Sequence, residues 1–174
     1  MRIVLIFDQG LAGAGGKSNP NIGLTLAKGG IGSALMLEPH FRKIGADVLA
    51  TLYCGNQYYD ENEQEVVQKL TAMVMKIKPD AVVCGPCFNF QDFAKMAAEV
   101  TLSIKTRTDI PVVTMMAAEN TATIDAYKDK ISIIRMPKKG GVGLSESLDN
   151  LAEWLRIKLN DPVHLADLEK QICY

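Results

Sequence analysis

Residues 62–84, NEQEVVQKLTAMVMKIKPDAVVC, read as one helix running into one strand. Val66, Val67, Leu70, Met73, Val74 and Ile77 recur at helical spacing and make a one-sided apolar stripe. Ala81–Cys84 is apolar without a break, the pattern of a strand covered on both faces of a parallel sheet. Asp60, with Glu63 three residues on, reads as the N-cap pair of a helix over Asn62–Ile77.

The same alternation extends in both directions. Strands are expected at Ile3–Phe7, Val48–Tyr53, Ala81–Cys84, Pro111–Met116 and Ile131–Met136, each short, β-branched and nearly all apolar. A shorter helix is expected over Ser33–Ile44, stopped by Gly45. Another over Phe90–Lys105 carries the stripe Phe93, Ala97, Val100 and Ile104, and a third over Ser145–Leu159 carries Leu148, Leu151, Leu155 and Leu159. Strand–helix–strand alternation implies a parallel sheet wrapped on both faces. The expected fold is α/β: a single three-layer domain, flavodoxin-like or Rossmann-like, with a mostly parallel five-stranded sheet. It takes in residues 1–160, and residues 161–174 form a C-terminal tail, either a short helix or a partner-binding arm.

Composition narrows the function classes. The chain has 174 residues, within the usual span of one domain, and 48% of them are hydrophobic against 22% charged. Lys plus Arg number 19 and Asp plus Glu 20, a net charge of −1. Without a basic excess, neither nucleic acid nor an anionic membrane has an electrostatic basis for binding. No stretch reaches the roughly 18 apolar residues of a membrane span, and Met1–Phe7 suits a strand better than a signal peptide. A cytoplasmic location is expected. There the four cysteines, Cys54, Cys84, Cys87 and Cys173, are thiols before they are disulfides. The two histidines, His40 and His164, have no neighbouring Cys or carboxylate pair, so a zinc site or a Ser-His-Asp triad lacks its parts.

In a parallel sheet, ligands bind outside the carboxyl ends of the strands. The least regular segments fall there: Asp8–Gly32, Cys54–Asn62, Gly85–Asn89, Ala117–Thr123 and Pro137–Gly143. The first is 25 residues long, beyond the roughly 12–15 of an idle loop, and is read as a ligand cover or a partner surface. Its Gly13, Gly15 and Gly16 come near two phosphate motifs, but Leu11 stands where a P-loop needs glycine and Ser18 where a dinucleotide fingerprint needs its third. Asn19-Pro20-Asn21 also blocks the helix that would hold the phosphate. A mobile loop needing glycine torsions is the better account, and no cofactor is expected.

Cys84-Gly85-Pro86-Cys87 sits between a strand and a helix, where a helix N-terminus lowers a thiol's pKa. The four residues are identical to the active-site tetrapeptide of thioredoxin. Val83 stands where thioredoxin has Trp, however, and no antiparallel hairpin follows the helix. The alternative to redox chemistry is a tight turn of small residues. Asn56, Tyr58 and Asn62 bring amide and phenol groups to a strand's carboxyl end, suited to a small polar ligand or to turn and capping chemistry. Glu119-Asn120 offers a carboxylate that could hold an ammonium, or else a solvated turn. Lys138-Lys139-Gly140-Gly141 reads as a solvated loop, and the eight methionines as core filling.

In order, these segments resemble the selenoprotein B subunit family of glycine/sarcosine/betaine (D-proline) reductase. Ala50-Thr51-Leu52-Tyr53-Cys54-Gly55-Asn56, with Tyr58, Asn62 and Glu63, is similar to a characteristic stretch of that family. Gly85-Pro86-Cys87-Phe88-Asn89 resembles its glycine-proline-x-phenylalanine-asparagine turn. Ile110–Thr114, Glu119-Asn120 and Tyr127-Lys128 follow in the family's sequence, and Ile22-Gly23 with Gly30-Ile31-Gly32 fits its first loop. Cys87 stands where a small apolar residue is expected, and Phe90-Gln91-Asp92 replaces the usual glycines and arginine. Family members are more than twice as long, and the resemblance covers their first half only, without the selenocysteine-cysteine motif of the second.

The resemblance implies reductive cleavage of a C–N bond in small amino acids or N-methylated amines, in anaerobes. It also implies a multi-subunit complex with selenol and thiol groups and a pyruvoyl-bearing subunit. On this reading the chain is a truncated family member, a reductase-complex subunit or substrate-binding domain. Asn56, Tyr58, Asn89, Glu119 and Asn120 would contact a small amino acid or amine, and Cys54, Cys84 and Cys87 would carry any thiol chemistry. Other chains of the complex are the expected partners, and a homo-oligomer is expected because small layered α/β domains often dimerise. Two alternatives stand beside it: an independent thiol-disulfide oxidoreductase using Cys84 and Cys87, and a non-catalytic interaction subunit.

Overall fold

The computed structural model describes residues 1–174. Strand β1 (Arg2–Asp8) is buried at every position but Arg2, as its unbroken apolar run requires. It lies at the middle of the sheet, paired in parallel with β3 (Asp47–Cys54) on one side and β4 (Ala81–Cys84) on the other. β5 (Val112–Met116) and β6 (Ile133–Arg135) continue in parallel beyond β4. Both are shorter than their apolar runs, which spill into the adjoining turns.

The sheet has six strands rather than the expected five, in the order β2-β3-β1-β4-β5-β6. The additional strand, β2 (Thr25–Lys28), lies inside the first loop and runs antiparallel to β3, with Thr25 opposite Tyr53 and Lys28 opposite Ala50. It is an edge strand of four residues in which half-buried and exposed positions alternate. The continuous apolar run that marks a strand covered on both faces is therefore absent from it. The five parallel strands taken alone follow the doubly wound order 2-1-3-4-5.

Helices cover both faces. α3 (Glu63–Ile77), α4 (Gln91–Arg107) and α5 (Thr121–Tyr127) pack as one layer; α1 (Ala34–Arg42) and α6 (Leu144–Asn160) pack as the other. Phe7, Phe41, Phe93 and Trp154 are fully buried between the layers. Met96, Met115 and Met116 are buried with them, in keeping with methionine as core filling. α1 holds Pro39 in its interior and ends at Arg42, short of Ile44. His40 Nδ1 and Lys43 Nζ both meet Asp149 Oδ1, at 2.7 and 2.6 Å, and tie α1 to α6.

Residues expected as a loop after β3 form a short helix, α2 (Asn56–Glu61). Asp60 lies inside it, so the expected Asp60–Glu63 capping pair does not form. Asn62 takes the N-cap position of α3 instead, without a side-chain cap bond. The tail folds into a 3₁₀ turn, Pro162–His164, and α7 (Leu165–Ile172), which packs on α6 and β6. Glu169 Oε1 accepts from Trp154 Nε1 at 2.8 Å and from the Ser132 hydroxyl at 2.5 Å. Cys173 bridges Ile134 in antiparallel sense, so the chain end covers the free edge of β6. No helix is long and apolar enough to cross a membrane.

Candidate functional site

The strand order positions the site. β1 and β4 are neighbours, but the helices that follow them, α1 and α4, lie on opposite faces. The two connections therefore diverge at the carboxyl ends, the place where doubly wound sheets bind ligands. Asp8–Leu11 leaves β1 there and Gly85–Phe90 leaves β4.

Asp8, the last residue of β1, is 5% exposed. Its Oδ1 accepts the Leu11 N–H at 2.8 Å and its Oδ2 the Asn56 Nδ2 at 3.3 Å. Burial pushes its pKa above the ordinary carboxylate value, against the pull of those bonds. Gln9, also buried, accepts the Asn56 backbone N–H on Oε1 at 3.0 Å. Asn56 Oδ1 is buried and has no hydrogen-bond partner.

The first loop closes over this cluster. The Gly55 N–H donates to the Ile22 carbonyl at 2.8 Å, and the Gln57 and Tyr58 N–H groups donate to the Pro20 carbonyl at 2.9 and 3.1 Å. Pro20 thus satisfies the free amides at the start of α2. The Ser33 N–H donates to the Leu11 carbonyl at 2.8 Å and pins the loop's far end. Gly13 and Gly15 are exposed, Gly16 half-buried, and all three have positive φ. Gly16–Ser18 forms a single 3₁₀ turn and no helix opens after it.

The turn after β4 is held against β5. The Cys87 N–H donates to the Met115 carbonyl and the Ala117 N–H to the Phe88 carbonyl, each at 2.8 Å. Gly85–Pro86 is cis, and Phe88 has φ +49°, a left-handed conformation that costs a bulky residue free energy. Asn120, 2% exposed, donates through Nδ2 to the Phe88 carbonyl at 2.6 Å and the Ala117 carbonyl at 3.1 Å. Its Oδ1 has no partner. Asn89 Oδ1 accepts the Lys139 backbone N–H at 3.0 Å, and Lys139 Nζ lies 5.8 Å from the Phe90 ring centre.

The thiols are deep. Cys54, Cys84 and Cys87 are each 0% exposed and all four cysteines are free. Desolvation pushes Cys54 and Cys84 up to about 12 and Cys87 well above its ordinary value. The protonated thiol is therefore the favoured form. α4 begins only at Gln91, four residues past Cys87, so the helix N-terminus expected to activate the thiols is not beside them.

The expected ligand residues divide into two groups. Asn56 and Tyr58 follow β3; Asn89 follows β4, and Glu119 and Asn120 follow β5. β3 and β5 are three strand spacings apart, about 14 Å. One small amine cannot span both. Tyr58 is half-buried beside α3, where Asn62 Nδ2 donates to its carbonyl at 2.9 Å, and Glu119 is exposed. Asp8 and Gln9, not singled out from the sequence, join the first group, and Lys139, read there as part of a solvated loop, joins the second. The available signal was a carboxylate directly ending the most apolar strand, at its carboxyl end. A groove of about 400 Å³ between α3 and α4, lined by Glu63, Gln64, Val67, Gln68, Glu99 and Arg107, contains none of these residues.

Fold and site together define a doubly wound α/β domain with a buried polar cluster at the carboxyl edge of its sheet. The family model for glycine/sarcosine/betaine reductase selenoprotein B matches residues 1–172, and the chain belongs to that family. The sarcosine reductase complex component B subunit beta of Peptoclostridium acidaminophilum is 29% identical over 153 residues, 88% of this chain and 34% of the relative. The glycine reductase complex component B subunit gamma of the same organism is 33% identical over 134 residues, 77% of this chain and 30% of the relative. The betaine reductase complex component B subunit beta, again of that organism, is 25% identical over 133 residues. The chain spans about a third of the length of these relatives. No solved structure matches it significantly.

Proposed function

We propose that this chain is the substrate-binding domain of a reductase complex. It holds a small amino acid or N-methylated amine at the carboxyl edge of its sheet while groups on partner chains reduce the C–N bond. The observation that carries this reading is the cluster at the β1–β3 end. There a buried carboxyl, Asp8, has no cationic partner and lies beside the orphaned acceptor of Asn56. A buried negative group with no counter-charge is costly, and an ammonium offsets both deficits. Asn56 contacts the amine directly, with Tyr58 on its flank. Asn89, Glu119 and Asn120 hold the β4–β5 side of the sheet's carboxyl edge, where Glu119 meets the ligand-bearing partner. Gly13, Gly15 and Gly16 give the cover its hinge torsions.

The chain works in the cytoplasm of an anaerobe, self-associated and docked on other chains of its complex. A thiol–disulfide exchange at Cys84 and Cys87 has less support, because both thiols are sealed from solvent and held protonated. Titration calorimetry with glycine and N-methylglycine tests the reading. Saturable binding that weakens more than tenfold in Asp8→Ala supports it, and absence of binding to either amino acid overturns it. Anaerobic purification from the native cells should also bring down a selenocysteine-bearing or pyruvoyl-bearing chain.

A further inference from the structure

A side-chain amide has two donor hydrogens and an acceptor oxygen, and a buried site normally satisfies both ends. Asn56 satisfies only one. Its Nδ2 donates to Asp8 Oδ2 at 3.3 Å and its backbone N–H donates to Gln9 Oε1 at 3.0 Å, but its Oδ1 is buried without a partner. The reverse placement of the amide would set Oδ1 against the Asp8 carboxylate, acceptor against acceptor. Asp8 therefore fixes Asn56 with its oxygen free.

The surroundings are short of donors. Asp8 receives N–H groups from Leu11 and Asn56 and enters no ion pair; Gln9 Oε1 is occupied by Asn56. What the site lacks is a positive charge and a further N–H. An ammonium with at least one hydrogen brings both: charge for Asp8 and a donor for Asn56 Oδ1. A fully methylated ammonium brings the charge alone and leaves Asn56 Oδ1 buried and unpaired. Sites built to hydrogen-bond an N–H reject analogues that lack it for this reason.

We infer that Asn56 is a specificity-determining residue that selects small ammonium ligands retaining an N–H over fully methylated ones, with Asp8 supplying the opposing charge. The inference rests on the amine-binding reading above. It divides the substrate classes named for the relatives, placing this chain with primary and secondary amines.

Competition binding to the full chain tests it with three probes: glycine, N-methylglycine and N,N,N-trimethylglycine. Glycine and N-methylglycine should bind at least about tenfold more tightly than the trimethylated probe. In Asn56→Ser the three affinities should converge to within about threefold, with an unchanged circular-dichroism spectrum showing that the variant folds. Equal or stronger binding of the trimethylated probe to the wild-type chain overturns the inference while leaving the amine-binding reading in place. Discrimination that survives intact in Asn56→Ser overturns the role of Asn56. Failure of all three probes to bind overturns both.

Discussion

The Pro20 carbonyl oxygen lies 1.9 Å from the point where a Cβ on residue 55 would stand, so Gly55 admits the first loop by having none. Its own torsions, φ −73° and ψ 147°, suit any residue. The glycine is required for close approach, not for backbone freedom. Through that approach Pro20 caps α2, beside the buried Asp8 and the half-buried Asn56 with its buried Oδ1.

Gly55→Ala should therefore act on the loop before the core. Overpacking against backbone costs roughly 2 kcal/mol where the neighbour can retreat, and here the neighbour is a surface loop. We expect a lower denaturation midpoint and new protease cleavage confined to residues 9–33. Cleavage spread evenly along the chain would show instead that the sheet had failed.

The buried thiols give a second expectation. With Cys54, Cys84 and Cys173 pushed up to about 12 by burial and Cys87 pushed well above its ordinary value by the same cause, almost no thiolate exists at pH 8. Native protein should react with a disulfide reagent at least about a hundredfold more slowly than protein in denaturant, because reaction must await opening. Fast labelling of Cys84 or Cys87 in the native state would revive redox chemistry at that turn.

Asn120→Ala removes the two bonds that hold the left-handed Phe88 turn to the β5 end. Each carbonyl keeps a backbone donor, Phe88 the Ala117 N–H and Ala117 the N–H of residue 120, so the loss is two side-chain bonds at about 1 kcal/mol each. The urea midpoint should fall with no change in slope, since the exposed surface of the unfolded state is the same. Asn120→Asp should be no better, because it sets a carboxylate against both carbonyls. An unchanged midpoint in either variant would mean that the turn holds itself.

How much of this could be read from the sequence depends on which residues are buried on both sides. β1 and β4 declared themselves because a strand covered on both faces is apolar throughout, and α3, α4 and α6 did so through one-sided stripes such as Val66–Leu70–Val74. α5, seven residues with Ile124 alone buried, had no stripe to show and was not expected. β2 and α2 were silent for the complementary reason. Thr25–Lys28 is an edge strand, and Asn56–Glu61 is a short polar helix held by a carbonyl more than thirty residues earlier in the chain. Asn56 and Asn120 were legible as amides at strand ends. Their separation by three strands was not, since strand order is a property of the fold and not of chain order. The Cys84–Cys87 pair reads as a redox motif by spacing alone; its burial depends on the turn's bonding to Met115 and Ala117.

Asp8 brings stability and binding into opposition. Its pKa is raised in the folded state, chiefly by burial, so the folded chain keeps a proton over a pH range where the unfolded chain has lost it. The contribution to stability is full below the unfolded value of 3.8 and is lost as pH rises through the folded value. Asp8→Asn removes the ionisation and keeps an oxygen for the Leu11 N–H, and its new amide hydrogens can serve Asn56 Oδ1. The variant should therefore be more stable than the wild type at pH 7, with the advantage shrinking as pH falls toward 4. Thermal denaturation across that range measures it, and an advantage independent of pH would mean that the carboxyl is not the source. The same variant should bind glycine more than tenfold more weakly, because the opposing charge is gone. Gain in one and loss in the other is the signature of a carboxylate retained for its ligand at the expense of the fold.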